Sequence, residues 1–239
     1  ISQTPVGDTT VTIASAVDLV VSLGQPVVPN VVGMTEPNAT AAITAIDNLT
    51  VGTVTYEYSD TVASGLVISQ SPTADTAVTI GSSVDLAVSL GQPVVANVVG
   101  MTEPNATAAI TAVDNLTAGT ITYEYSDTTA SGLVISQSPT AGTAVTIGSS
   151  VDLTVSLGQP VVPNVVGMTE PNAAAAITAV DNLTVGTVTY EYSDTVATGL
   201  VISQTPVDGT AVSIGSTVDL VVSLGQPVVP NVVGMTEPN

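Results

Sequence analysis

The chain has 239 residues, 20 acidic side chains and no Lys, Arg, His, Cys, Trp or Phe, giving a formal net charge of −20. This inventory excludes a P-loop or Schiff-base lysine, a Ser-His-Asp triad, a thiolate nucleophile and a zinc site of His and Cys. It also excludes disulfides and any basic footprint for nucleic acid or anionic lipid. Hydrophobic residues make up 44% and charged residues 8%, a balance that favours a folded chain over a disordered one. Val-rich runs are broken by Gly, Pro, Asn or Ser well before the roughly 18 apolar residues of a membrane span, so direct membrane insertion is not expected.

The chain is an internal repeat. The string Asn-Val-Val-Gly-Met-Thr-Glu-Pro-Asn starts at Asn30, Asn97, Asn164 and Asn231, a constant period of 67 residues. Whole repeats span 25–91, 92–158 and 159–225. Residues 1–24 match the C-terminal part of a repeat and 226–239 the N-terminal part of another. These ends read as a window on a longer array. The first two whole repeats differ at seven positions, and no difference adds a cation.

In the first whole repeat, Val27, Val28, Val31 and Val32 predict a short strand closed by Gly33. Thr35 is the expected N-cap of a helix, with Glu36 at its positive end and Pro37 in its first turn. Ala39, Ala42, Ile43, Ile46 and Leu49 then recur at helical spacing. Residues 53–59 alternate, with Val54, Tyr56 and Tyr58 on one face. Leu66–Gln70 is a strand ended by Pro72. Ser82–Leu90 alternates again, with Val84, Leu86, Val88 and Leu90 inward and Ser83, Asp85, Ala87 and Ser89 outward. The expected repeat is α+β, of order β-α-β-β-β, with the helix on one face of the sheet. The short Pro-containing junction at Gly91-Gln92-Pro93 implies a tandem array extended as a semi-rigid rod.

The repeat resembles the PASTA domain, named for penicillin-binding proteins and Ser/Thr kinases. The resemblance rests on the start at 28–35, the helix with Ala39, the turn Tyr58-Ser59-Asp60, the stretch Gly65 to Pro72 and the strand Val84 to Gly91. It implies the β-α-β-β-β fold and a bacterial or archaeal cell-surface or extracellular setting. In relatives attached to kinases or transpeptidases, it implies sensing or binding of peptidoglycan fragments outside the membrane.

Three kinds of candidate site follow. Calcium bridging carboxylates is one, because calcium accepts flexible oxygen shells. Its candidates are Glu57 with Asp60, Glu124 with Asp127 and Glu191 with Asp194. The bland alternative is a solvated acidic surface that resists aggregation. Five sequons make Asn38, Asn48, Asn105, Asn115 and Asn182 glycosylation candidates; the third repeat loses one because Ala174 replaces Thr. Tyr56 and Tyr58 are the repeat's only aromatics, readable as a sugar platform or as packing with hydroxyls in water. No catalytic residue and no cofactor other than calcium is expected. A carboxylate-pair glycosidase would need a cleft larger than 67 residues provide. The functional expectation is a non-enzymatic extracellular structural protein that self-associates into filaments, bundles or a matrix. The alternative is an array that binds cell-wall peptidoglycan or another glycan, or a spacer stalk.

Overall fold

A computed structural model describes residues 1–231 and 233. The chain divides into two compact units, 1–94 with 144–149, and 95–143 with 150–239. The fourth copy of the repeated string, from Asn231, lies almost wholly outside the described residues.

The repeat in the first unit shows how the fold is built. Helix α1 runs Glu36–Thr44, followed by strands β3 (Thr50–Glu57), β4 (Val67–Ser71) and β5 (Ser83–Ser89); β1 (Ser2–Thr4) and β2 (Asp18–Val20) precede them. The sheet order is β3-β5-β4, with β5 central, parallel to β3 and antiparallel to β4. The second unit holds α2 (Glu103–Thr111), β6 (Thr117–Glu124), β7 (Val134–Ser138) and β8 (Ser150–Ser156). It then repeats the pattern as α3 (Glu170–Thr178), β9 (Thr184–Glu191), β10 (Val201–Thr205) and β11 (Thr217–Ser223), with the same strand order in both sheets.

The helix starts where expected, with Thr35 in extended conformation at the N-cap and Pro37 in the first turn. The Thr35 side chain makes no capping hydrogen bond. Helical geometry stops before Ile46, and Asn48 takes a left-handed φ of 65°, a conformation that Asn tolerates better than most residues. Ile46 and Leu49 still join the core from this turn, because Ile46 N–H donates to Ile43 O and Leu49 N–H to Ile46 O. The core gathers Val28, Val31, Ala39, Ile43, Leu49, Val67, Val84, Leu86 and Val88. Full burial of one such aliphatic side chain contributes about 1.5–3 kcal/mol.

Four expectations need correction. The first strand is reduced to isolated bridges, Val27 with Ala77 and Thr35 with Leu66, because this segment spends its other groups elsewhere. Val31 N–H, for example, donates to the Gln70 side chain rather than to a strand. Leu90 is exposed, since β5 ends at Ser89 and the alternation ends with it. Ser89 is buried instead of outward: its hydroxyl donates to Val62 O at 2.7 Å and accepts from Gly91 N–H at 2.9 Å. Ala87, also read as outward, is buried on the central strand between β3 and β4.

Residues 1–24 repeat the pairing of the last two strands. β1 and β2 pair in the register of β4 and β5, Gln3 opposite Leu19 as Gln70 is opposite Leu86. This segment carries no helix of its own, and Leu19 is 64% exposed where Leu86 is 2% exposed.

Candidate functional site

The polar chemistry of each repeat begins at its helix N-terminus. Tyr56 Oη donates to the Glu36 carboxylate at 3.1 Å and 3.2 Å. Tyr123 does the same to Glu103 at 2.9 Å, and Tyr190 to Glu170 at 3.0 Å. The hydroxyls therefore have a protein partner and do not simply face water. The bond fixes a half-exposed ring against the helix end. It also raises each phenol above its ordinary value, the hydrogen bond to the carboxylate being the main cause.

This shift has a sign. A group whose folded pKa is raised adds stability below its unfolded pKa and loses it as pH rises through the folded value. The contribution is therefore present at neutral pH and fades above about pH 10, the ordinary phenol value. In an ultraviolet titration of tyrosinate, replacing Glu103→Gln moves one phenol to lower pH while leaving the folded chain intact. An unchanged curve would show that the Tyr123–Glu103 bond is absent in solution.

The carboxylates proposed for calcium are placed as follows. In the first compact unit, Asp60 accepts from Ile147 N–H at 3.1 Å and from Gln92 Nε2 at 3.2 Å. In the second, Asp127 accepts from Ile214 N–H at 3.1 Å and from Gln159 Nε2 at 3.3 Å. Glu57, Glu124 and Glu191 end strands β3, β6 and β9. Asp194 lies just beyond β9 and is exposed. Among the described residues, no three acidic side chains converge as a metal site would need. A rise in melting temperature with calcium, absent with magnesium, is the measurement that tests a specific site at these carboxylates.

All five sequon asparagines are exposed. Asn38 and Asn105 sit in the first turns of α1 and α2. Asn48, Asn115 and Asn182 sit in turns at φ of 65°, 68° and 68°.

Two residue types escaped the sequence reading. Gln70, Gln137 and Gln204 each tie a strand to the segment before the helix. Gln137 Oε1 accepts from Val98 N–H at 2.8 Å, and its Nε2 donates to Ala96 O at 2.9 Å. The available signal was an amide recurring in an otherwise Ser-flanked strand. The second type is the aspartate at a β-bulge. Asp85 accepts from Thr53 N–H at 2.7 Å, and Asp152 and Asp219 act alike on Thr120 and Thr187.

The second compact unit also carries an open cleft of about 510 Å³. It is lined by Tyr123, Glu124, Tyr125, Leu157, Asp181, Asn182 and Ile214. Separate shallow grooves of hydroxyls cover the sheets, such as that of Thr120, Thr122, Ser136, Ser138 and Asp152. Such surfaces offer hydrogen bonds, carboxylates and aromatic faces, and no cation.

The PASTA domain profile matches residues 26–90, 93–157 and 160–224. A probable serine/threonine-protein kinase of Corynebacterium efficiens is 35% identical over 204 residues, 83% of this chain and 30% of the kinase. The serine/threonine-protein kinase PrkC of Bacillus subtilis is 34% identical over 202 residues, 83% of this chain and 31% of the kinase. The chain thus spans less than a third of the length of these two relatives. Among solved structures, the extracellular region of the Ser/Thr kinase PrkC from Staphylococcus aureus is 30% identical, with a TM-score of 0.43, covering 84% of this chain and 72% of that one. The repeats are therefore α+β units of known kind, and the chain belongs to the PASTA domain family.

Proposed function

We propose that the chain is a cell-surface array that binds cell-wall glycan and performs no chemistry on it. The observation that carries this reading is the match of three successive repeats to the PASTA domain. Kinship over 83% of the chain with serine/threonine-protein kinases supports it. No helix among the described residues is long and apolar enough to cross a membrane. With no Lys, Arg or His, the array has no side-chain cation for a carboxylate or phosphate of the wall. Recognition must use the neutral and cationic parts of the polymer, met by hydroxyls, carboxylates and tyrosine rings. The test is a sedimentation assay with purified cell walls. Saturable binding that persists at moderate salt is expected, and its absence overturns the reading.

A second reading, a structural polymer, is favoured by one observation. Within the second compact unit, the bond from Ile214 N–H to Asp127 joins two consecutive repeats, and the same pair of positions recurs as Ile147 and Asp60 within the first. Identical joints between near-identical repeats generate a regular array. Electron microscopy of the native protein at high concentration tests this: filaments with a repeating globule support it, and lone molecules refute it.

A further inference from the structure

The cleft of the second compact unit has lining that is held in place from three sides. Tyr123 is tied through its hydroxyl to Glu103 at 2.9 Å. The Ile214 loop is tied by its N–H to Asp127 at 3.1 Å. Gly215 N–H donates to Asn182 O at 2.9 Å, which locks that loop to the turn after α3. A site organised before its ligand arrives loses less on binding.

The lining also has a definite chemistry. Tyr123, Tyr125, Leu157 and Ile214 give it apolar surface, and Glu124 and Asp181 give it two carboxylates. Its volume of about 510 Å³ falls in the usual range of small-ligand sites, about 300–1,000 Å³. Tyrosine faces take the C–H face of a sugar ring or an ammonium group. The two carboxylates favour hydroxyl and ammonium donors and repel acids, sulfates and phosphates. The first compact unit contains a related recess of about 500 Å³ with Leu23, Asp47, Asn48 and Ile80, the counterparts of Leu157, Asp181, Asn182 and Ile214. The acid-and-amide part thus recurs in the fold.

We infer that this cleft binds a hexosamine residue bearing a free amine, its ring against Tyr125 and Tyr123 and its ammonium facing Glu124 and Asp181. The inference rests on the glycan-binding reading above and names the class of sugar that reading requires.

The experiment titrates the whole chain with a glucosamine trimer and, separately, with an N-acetylglucosamine trimer, following the Ile214 amide and Tyr125 ring by nuclear magnetic resonance. Saturable shifts at both positions are expected with the free-amine trimer, and binding about tenfold weaker with the acetylated one. Asp181→Asn should weaken the first about threefold, and Tyr125→Ala about fivefold. Tyr125→Phe keeps the ring and keeps binding, which guards against a variant that merely misfolds. Equal binding of the two trimers, or no effect of Asp181→Asn, overturns the assignment. So do shifts confined to other parts of the chain. Cell-wall sedimentation run in parallel separates the two levels. Wall binding with a silent cleft sinks this inference alone. A responsive cleft without wall binding supports the inference and sinks the proposed function.

Discussion

Replacing Gln137→Met should lower the melting temperature of the repeat at 92–158 by roughly 10–20 °C, from a loss of about 2–3 kcal/mol. The side chain is only 9% exposed, and Met nearly conserves its volume. What disappears is the amide. Its Oε1 accepts from Val98 N–H at 2.8 Å, and its Nε2 donates to Ala96 O at 2.9 Å and Pro139 O at 3.3 Å. Val98 is fully buried, so its N–H has no water to turn to. An orphaned buried donor costs about 1–3 kcal/mol, more than the bond itself is worth net. Ala96 is only half-buried, and its carbonyl recovers part of the loss from solvent. A repeat of this size has a total stability of about 3–10 kcal/mol, so the change is a large share. Differential scanning calorimetry should show a separate early transition, because Gln70 and Gln204 remain in the other repeats. Gln137→Glu should be worse, since it loses both donor bonds and adds a buried charge. A melting curve equal to that of the parent would show that the glutamine is dispensable.

That prediction marks the boundary of what was legible in the sequence. The period of 67, the helix start at Thr35 and the inward set Val84, Leu86 and Val88 were all readable, because periodicity and capping chemistry are local signals. The first strand was misread. Val27, Val28, Val31 and Val32 look like a strand, but they are apolar because Val28 and Val31 enter the core from an irregular segment. Its backbone is satisfied by Gln70, 39 residues away for Val31, and no local pattern announces a partner at that distance. Ser89 failed similarly. Alternation put it outward, while the bond to Val62 O, across 27 residues, buries it. The candidate cleft was legible only in its parts. Tyr123, Tyr125 and Asp181 could be named as aromatics and acids, but the fold alone brings them to one recess. Asp60 and Asp127 are legible as carboxylates, but the partners that hold them are not. The structure gives both of them N–H donors, from Ile147 and Ile214.

The β-bulge gives the second large prediction. Gly119→Ala should destabilise its repeat by about 1–3 kcal/mol, although alanine at an ordinary strand position would stabilise the chain. Gly119 has no positive φ to protect, so the cost is one of space. An added Cβ would land on Asp152 Oδ1 and lie 3.2 Å from the Ser150 Cβ. That carboxylate oxygen is the one that accepts from Thr120 N–H at 2.7 Å. The substitution therefore expels the group that closes the bulge, where pairing between β6 and β8 shifts between Ala118 and Ile121. The bulge sets the phase of everything after it, because a one-residue slip turns each side chain to the other face. Tyr123 follows within β6, opposite Val155, and its bond to Glu103 depends on that phase. Gly119→Ala should thus also lower the pH at which one tyrosine ionises. A double-mutant cycle isolates the cause. Asp152→Ala removes the clash partner, so the double variant should be more stable than the sum of the single changes by about 0.5–3 kcal/mol. Strict additivity would mean that Gly119 is needed for chain flexibility and not for the room it leaves the aspartate.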